Sequence, residues 1–292
     1  MIEKRSKLPY LFLAPVVLIL LLFSYLPMPY SLYLSFNKLN PASGRYEFVG
    51  LANWRQMLMD SKFWESARNT FAYVIIFTVI MVVLGLLVAL ILNSKIPGTS
   101  FYLTVLFVPW VISEVIVGAT WKWLLNPDFG VLNYLFGGLG IKCSDLITNP
   151  KFALVGVAIV AVWRGLAYTV ILMLAGLQNV SNDYLEAASL DGCSKLQAFF
   201  RVTLPIFSPT LLVVTLLNMI NAISQSGIIL VLTKGGPVRA TETMALYLYK
   251  EAFLNYQLSS AATMSIILAF VNMIVVAVYL AANKRNQEKE AE

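Results

Sequence analysis

The sequence predicts an all-α membrane protein with six transmembrane helices. The mean hydropathy is +0.76, and 59% of the residues are hydrophobic whereas 12% are charged. Soluble domains carry roughly 25% charged residues, so this composition is typical of a membrane protein. A helical span needs about 20 mostly apolar residues, and the 292 residues therefore accommodate about six spans with short connectors. We expect a single transmembrane domain, residues 1–292.

The composition also limits the chemistry of the chain. Histidine, the commonest general base and metal ligand, is absent, which excludes histidine-based catalysis and zinc sites. Cys143 and Cys193 are separated by a predicted span and should face opposite sides of the membrane, so no disulfide is expected. The net charge is +6, but the basic residues are spread over every loop and indicate membrane-surface charge rather than a nucleic-acid partner. We expect neither a metal nor a cofactor in this chain.

The first half of the chain contains three predicted spans. A basic segment, residues 1–7, precedes an apolar run at about residues 8–33. This run is longer than a signal-peptide core and no small-residue cleavage site follows it, so we expect an uncleaved span. Residues 70–92 carry no charge and predict the second span. The third span, at about residues 101–121, contains one acidic residue, Glu114.

The second half predicts three more spans, at about residues 152–177, 210–232 and 258–282, and the first of these contains Arg164. Six spans place both termini on one side of the membrane. Lysine and arginine number nine on that side and eleven on the other, so the raw count does not decide the orientation. The basic residues closest to span ends lie at both termini, and we therefore expect cytoplasmic termini.

A polar connector, residues 181–209, separates the fourth and fifth spans. Its first part is predicted to form a short helix. Asp183 can cap the N-terminus with Glu186 three positions later as in a capping box, and Gly192 tolerates the left-handed conformation that ends a helix. These features alone leave two interpretations open, an interfacial amphipathic helix and a docking element for a partner.

The residues of the connector distinguish these interpretations. EAA at residues 186–188, SLDG at residues 189–192 and, after nine further residues, VTLP at residues 202–205 resemble the EAA signature of the membrane subunits of binding-protein-dependent ABC importers. Further stretches similar to the carbohydrate-type subgroup are FVGLANW, FWESARNT, VPWVISEVIVGATWKWLLNPDFGVLN, LAGLQNVSNDYLEAASLDG and LTKGGP. That subgroup includes permeases for maltose, other oligosaccharides and glycerol phosphate. The chain resembles the first partner of their permease pair.

The resemblance implies the type I ABC importer permease fold and a cytoplasmic coupling helix in the connector. This helix would dock in a groove of an ATPase subunit, with Glu186 facing basic residues and with Ala187 and Ala188 allowing close approach. Asp191–Gly192 would form the turn between two short helices, and Leu204-Pro205 would mark the start of the next span. Because ATP is inside the cell, this function also implies cytoplasmic termini.

The resemblance also implies partners and a location. The chain would pair with a second, homologous permease subunit, above two ATPase subunits that bind ATP and Mg and below an extracytoplasmic solute-binding protein. It would be a multi-pass subunit of a bacterial-type cell (inner) membrane, in contact with lipid. ATP hydrolysis would belong to the partner ATPase, because this chain lacks the phosphate-binding pattern G-x-x-x-x-G-K-[ST]. The subunit itself is therefore not expected to be an enzyme.

Polar residues in the fifth span suggest a solute path. Asn218, Asn221 and Gln225 recur at three- and four-residue spacings and predict one polar helix face. They can hydrogen-bond to other helices, or they can offer donors and acceptors to a hydroxyl-rich solute. The resemblance favours the solute path and adds Gly165 and Tyr168 of the fourth span.

Arg164 and Glu114 are charges inside predicted spans, where charges usually pair or line a pathway. Mutual pairing or a water-exposed position is one interpretation. Another is that the Arg164 guanidinium contacts an anionic solute such as a uronate or a phosphate, whose geometry it suits.

Two other function classes are disfavoured. An intramembrane enzyme would need clustered acids or a nucleophile with its base, whereas Glu114 stands alone in its span. An ion-coupled secondary transporter would predict inverted repeats and broken helices with ion ligands, and the sequence shows no such internal repeat. The leading hypothesis is a permease that moves a sugar or sugar-like solute.

Overall fold

The computed structural model describes residues 8–94 and 96–291, with side chains for residues 12–94 and 96–283. Several of the basic residues used to predict the orientation lie outside the described residues or side chains, namely Lys4, Arg5, Lys7, Lys95, Lys284, Arg285 and Lys289. The chain forms two compact units, one comprising residues up to Phe63 with Leu248–Ala269 and the other Trp64–Tyr247 with the chain from Phe270 onwards. The single domain remains a prediction.

The chain begins with an apolar helix, a β-hairpin and a short amphipathic helix. In chain order these elements are α1 (Leu8–Leu20), α2 (Pro27–Ser35), β1 (Asn37–Asn40), β2 (Arg45–Phe48) and α3 (Ala52–Met59). The stretch able to cross a membrane is Phe12–Ser35, which agrees with the first predicted span.

A π-helical turn, Leu21–Tyr25, joins α1 to α2 just before Pro27. In this turn the Leu26 N–H bonds the Leu21 carbonyl at 2.9 Å, five residues back. Proline lacks an N–H and its ring collides with the carbonyl four residues earlier in a regular α-helix. The wider turn accommodates Pro27 without ending the helix.

The hairpin pairs antiparallel, with Asn37 opposite Phe48. The Asn53 side-chain amide donates to the Ser35 carbonyl at 2.9 Å and to the Asn37 carbonyl at 3.0 Å. Asn53 is buried, so its side-chain amide needs acceptors inside the protein, and these two carbonyls supply them. These hydrogen bonds fix the hairpin to α3.

The remaining helices are α4 (Ser61–Asn93), α5 (Thr99–Val111), α6 (Glu114–Leu124), α7 (Val131–Gly137), α8 (Asp145–Thr148), α9 (Ala153–Gln178), α10 (Asn182–Leu190), α11 (Lys195–Ala198), α12 (Leu204–Ser224), α13 (Gly227–Leu232), α14 (Met244–Tyr249) and α15 (Leu258–Ala291). Within the described residues, five helices are long and apolar enough to cross a membrane, or six if the bent pair α5–α6 is one span.

Helix α9 is the centre of the second unit, and more than half of its apolar stretch is buried. Small residues allow its neighbours to approach closely. A β-carbon on Gly85 of α4 would lie 2.6 Å from the Thr169 methyl, and one on Gly165 would lie 2.8 Å from the Met81 methyl. Such contacts stabilise helix pairs in membranes, where close van der Waals packing replaces the hydrophobic driving force.

The third predicted span is not a continuous helix, which corrects the prediction for residues 101–121. Helices α5 and α6 meet at an angle of 94°. Ile112 takes an extended conformation, with ψ of 137°, and Ser113 caps α6 by accepting a hydrogen bond from the Ile116 N–H. Because the Ser113 hydroxyl accepts a backbone N–H that would otherwise bond a helix carbonyl, it favours the start of a new helix over the continuation of α5.

The fifth predicted span, residues 210–232, has different boundaries in the structure. One candidate span runs from Lys195 to Ser224, and Gln225 then takes an extended conformation, with ψ of 126°. The start is earlier because a second π-helical turn, Phe199–Thr203, precedes Pro205 and carries the helix past that proline. The helix that contains the second predicted span, α4, starts earlier than that span, at Ser61.

Candidate functional site

The connector between α9 and α12 begins with the short helix α10. The Ser181 hydroxyl caps this helix by accepting a hydrogen bond from the Asp183 N–H at 3.2 Å. The prediction that Asp183 is the capping residue is therefore wrong. Serine is as good an N-cap as aspartate. Asp183 lies instead in the first turn, where its negative charge interacts favourably with the positive end of the helix dipole.

The end of α10 agrees with the prediction for Gly192, which has a φ of +79°. The Gly192 N–H bonds the Ser189 carbonyl at 3.1 Å, and the Cys193 N–H bonds the Ala188 carbonyl at 3.0 Å. These two bonds form a Schellman motif, in which a left-handed residue reverses the chain and satisfies the last carbonyls of the helix. Asp191 is the C-cap residue, so Asp191–Gly192 forms the predicted turn.

The surface of α10 is mostly open. Glu186 and Ala187 are exposed, whereas Ala188 is buried and Leu190 is 88% exposed. Of the two alanines, only Ala187 can therefore face a partner. The exposed carboxylate and the exposed leucine form a mixed surface suited to another protein.

After the turn the chain enters one long helix. Ser194 and Gln197 form a capping box, with the Ser194 hydroxyl accepting from the Gln197 N–H and the Gln197 side chain accepting from the Ser194 N–H. The capping-box pattern predicted for Asp183 and Glu186 thus occurs at the second helix. Leu204 is half-buried and Pro205 exposed, and both lie inside the helix that leads into the fifth span.

Arg164 and Glu114 pair at 3.6 Å, as one interpretation of the sequence predicted. Arg164 also donates from Nε to the Ile112 carbonyl at 3.0 Å, at the break between α5 and α6. The side chains of Arg164 and Glu114 are 22% and 33% exposed. The guanidinium thus satisfies a carbonyl that the helix end leaves without an intrahelical partner.

A second break, between α12 and α13, lies against the first. Glu114, the first residue of α6, contacts Gly227, the first residue of α13, at a point where a β-carbon on Gly227 would overlap the carboxylate. Farther along the same pair of helices, a β-carbon on Gly118 would lie 2.9 Å from the Val231 β-carbon. The glycines allow α6 and α13 to pack closely beside the two breaks.

Gln225, at the second break, is buried and hydrogen-bonded to the hydroxyl of Tyr73 on α4. Asn218 is also buried, and its Oδ1 accepts from the Thr169 hydroxyl on α9 at 3.1 Å. Asn221, in contrast, is exposed. Asn218 and Gln225 are seven residues apart and therefore point to nearly the same side of the helix, whereas Asn221, three residues after Asn218, points about 60° away from it. The predicted polar face thus divides into a buried part and an exposed part.

Two aromatic rings line the open side of the first break. Tyr168 of α9 stacks on Trp110 of α5 at a centroid distance of 6.2 Å and an interplanar angle of 6°. The two side chains are 42% and 40% exposed. Offset stacking stabilises such pairs, and it leaves part of each ring open to a neighbouring molecule.

Sequence reasoning missed several residues of this region. The partners of three predicted site residues were not predicted: Tyr168 stacks on Trp110, Gln225 bonds Tyr73, and Asn218 bonds Thr169. Nothing in the spacing of these residues along the sequence indicates the pairs. A signal for the second break was present, because Ser226-Gly227 is a dipeptide typical of turns.

Residues 81–288 match the family described as "binding-protein-dependent transport system inner membrane component". The chain belongs to this family. It is 33% identical to a probable ABC transporter permease protein of Pyrococcus horikoshii, over 98% of this chain and 100% of that one. It is 31% identical to the sn-glycerol-3-phosphate transport system permease protein of Agrobacterium fabrum, over 97% and 95% of the two chains.

A third relative is the trehalose/maltose transport system permease protein of Thermococcus litoralis, 32% identical over 92% of this chain and 90% of that one. A solved chain of a bacterial alginate ABC transporter, in complex with an alginate pentasaccharide-bound periplasmic protein, superposes with a TM-score of 0.82 at 22% identity, over 97% and 96% of the chains. That likeness concerns the fold. The predicted fold class, family and role as a permease subunit of an ABC importer are confirmed, and ATP hydrolysis belongs to a separate ATPase.

Proposed function

We propose that this permease subunit moves a sugar or sugar-like solute into the cell, paired with a second, homologous permease subunit above two ATPase subunits. The names of its relatives support a hydroxyl-rich cargo, since they refer to trehalose and maltose, to sn-glycerol-3-phosphate and to alginate. A binding protein outside the membrane would deliver the solute, in keeping with the description of the family.

The connector around Glu186 is the proposed coupling element. The observation that carries this proposal is the order helix, Schellman turn, helix, with Glu186, Ala187 and Asp191 exposed. The carboxylate of Glu186 suits basic residues of an ATPase groove, and the Gly192 turn sets the direction in which the chain passes from α10 into the long helix that begins with α11. With ATP inside the cell, this role requires the connector and both termini to be cytoplasmic.

The solute path is proposed along the open sides of α9 and α12. Asn221 and Tyr168 are its proposed contacts, because both are exposed and because an amide and an aromatic ring can bind sugar hydroxyls and the apolar faces of sugar rings. Asn218, Gln225 and Gly165 would support this path from behind through their contacts within the chain. Arg164 and Glu114 would border it at the α5–α6 break.

Reconstitution of the complete transporter with its binding protein tests the proposal. We expect one or more sugars to give binding-protein-dependent stimulation of ATP hydrolysis and uptake. Glu186→Lys should leave the complex assembled but abolish stimulated uptake, whereas the charge reversal Glu47→Lys, at an exposed carboxylate of the hairpin, should not. Normal uptake by Glu186→Lys would contradict the coupling role.

A further inference from the structure

The β-hairpin that follows the first span has one polar face and one apolar face. Residues directly opposite each other in an antiparallel pair project to the same face, and the faces alternate along each strand. The register pairs Lys38 with Glu47 and Leu39 with Tyr46. Phe48, two residues after Tyr46, therefore shares the face of Leu39 and Tyr46. We call these three residues the apolar face of the hairpin.

The apolar face is largely open in the described part of the chain. Phe48 is 78% exposed and Leu39 is 45% exposed. On the polar face, the Asn40 side-chain amide donates to Glu47 Oε1 at 2.6 Å. Single apolar residues are common at protein surfaces, whereas neighbouring exposed apolar side chains mark contact with another protein or with a membrane.

The hairpin is fixed to the end of α2. The Val49 N–H donates to the Phe36 carbonyl at 2.9 Å, and the Asn37 side-chain amide donates to the Tyr33 carbonyl at 2.6 Å. The Asn53 side-chain amide bridges the same junction. The base of the hairpin therefore has a defined position relative to the last turn of the first span.

The hairpin also folds back along α2. Tyr30 and Tyr33 of α2 stack at a centroid distance of 6.3 Å. Burial raises the pKa of Tyr46, and the neighbouring Tyr30 and Tyr33 raise it further, so Tyr46 lies beside this stacked pair. Tyr30 is five residues before Ser35, the last residue of the span, or about 7.5 Å along the helix. The apolar face therefore lies beside the last turns of the span rather than beyond them.

This position corresponds to the interface between hydrocarbon and water. The headgroup layer is about 5–7 Å thick on each side of a hydrocarbon core of about 30 Å. Tyrosines are enriched in that layer, because the ring is apolar and the hydroxyl is polar. None of the 18 most apolar consecutive residues of Phe12–Ser35 is buried, so lipid that contacts the open span would also contact the hairpin beside its end.

We propose that the apolar face of the hairpin lies in the headgroup layer of the membrane leaflet at which α2 ends, with Phe48 directed toward the lipid chains. Lipid is favoured over a protein partner because the face adjoins an uncovered span. The charged residues of the hairpin agree with this, since Lys38, Arg45 and Glu47 all project from the opposite face.

Such a hairpin fixes the depth of the first span. Movement of the span in one direction would expose Phe48 to water, and movement in the other would draw the charged face into hydrocarbon, where charges are costly. The lipid contact depends neither on the identity of the solute nor on the coupling role of the connector.

Site-directed spin labelling tests this proposal in the complete transporter, reconstituted in phospholipid nanodiscs. In a subunit whose two native cysteines are replaced, labels are attached to Phe48→Cys and Leu39→Cys on the apolar face and to Glu47→Cys and Lys38→Cys on the polar face. All four positions are exposed, so the unfolding temperature should not change. The apolar-face labels should collide several-fold more often with oxygen, which dissolves in lipid, than with a water-soluble nickel chelate. The polar-face labels should show the reverse preference.

The alternation between the two faces should persist with and without the binding protein. A preference for the nickel chelate at all four positions would overturn the lipid contact, because it would show a hairpin that projects into water. Low collision rates with both reagents at Phe48→Cys would overturn it as well, since they would indicate cover by another subunit. Loss of oxygen accessibility only after the binding protein is added would assign the face to that protein instead of lipid.

Discussion

Arg164 donates a hydrogen bond from Nε to the carbonyl oxygen of Ile112 at 3.0 Å, across the break between α5 and α6. Its NH1 also faces Glu114 at 3.6 Å. A charged side chain inside a membrane is costly unless it is paired, and a carbonyl at a helix end needs a donor. Here Arg164 finds its partners in Glu114 and in the Ile112 carbonyl, and that carbonyl finds its donor in Arg164. Arg164 therefore supports the break rather than contacting an anionic solute.

Arg164→Gln should therefore destabilise the subunit for any cargo. Loss of a charged hydrogen bond that leaves a carbonyl unpaired costs about 1.5–3 kcal/mol, so the purified complex should unfold at a lower temperature. Uptake of neutral and anionic solutes should fall by the same factor. Arg68→Gln, at an exposed position of α4, is the control, and a selective loss of anionic solutes at unchanged stability would restore the solute-contact interpretation.

Gly227→Ala should disturb the contact between the two helix breaks. The new methyl group would overlap the Glu114 carboxylate, and overpacking costs about 1–3 kcal/mol. Glu114→Ala in the same chain should recover part of the loss, which a double-mutant cycle of unfolding temperatures would measure. Gly137→Ala, where a β-carbon meets open space, should have no effect, and additive losses in the cycle would refute the contact.

Asn218 and Asn221 should respond differently to alanine. Asn218→Ala removes a buried partner of Thr169 and should lower stability by about 1–3 kcal/mol, whereas Asn221→Ala should leave stability unchanged and alter the apparent affinity for solute. Thermal unfolding and uptake kinetics of both variants provide the comparison. Equal effects on stability would contradict the division of the polar face.

Gly192→Ala should weaken coupling more than folding. Alanine in the left-handed conformation of Gly192, with a φ of +79°, costs about 1–2 kcal/mol. The backbone strain is relieved most easily by a change in φ at this residue, which alters the angle between α10 and α11. Stimulated ATP hydrolysis should fall while insertion persists. Gly140→Ala has a similar φ of +75° and open surroundings, and an equal loss in that variant would exclude a specific role for the Gly192 turn.

The elements most accurately predicted are those that local chemistry decides. The fourth span was expected at residues 152–177 and is found at Ala153–Gln178, because a long apolar run has one favourable state in a membrane. The Gly192 turn followed from the conformational freedom of glycine. The boundaries that failed lie at prolines and polar residues, where a π-helical turn or a distant hydrogen bond changes the outcome.

The roles of the polar span residues could be predicted only in part. The pairing of Arg164 with Glu114 was among the interpretations that the sequence left open, since these two are the charges inside the predicted spans. The partners of Asn218 and Gln225 were not, because Thr169 and Tyr73 are 49 and 152 residues away along the chain. An amide that faces a solute and one that bonds a neighbouring helix have the same spacing in the sequence.

The sequence by itself determined the class of protein, the approximate position of the long apolar helices and the location of the EAA-like signature, since hydrophobicity, helix length and turn chemistry are local properties. The tertiary structure decided where two of those helices break and which polar side chains are buried between helices. These features depend on contacts between residues far apart in the chain, and only the packed helices bring them together.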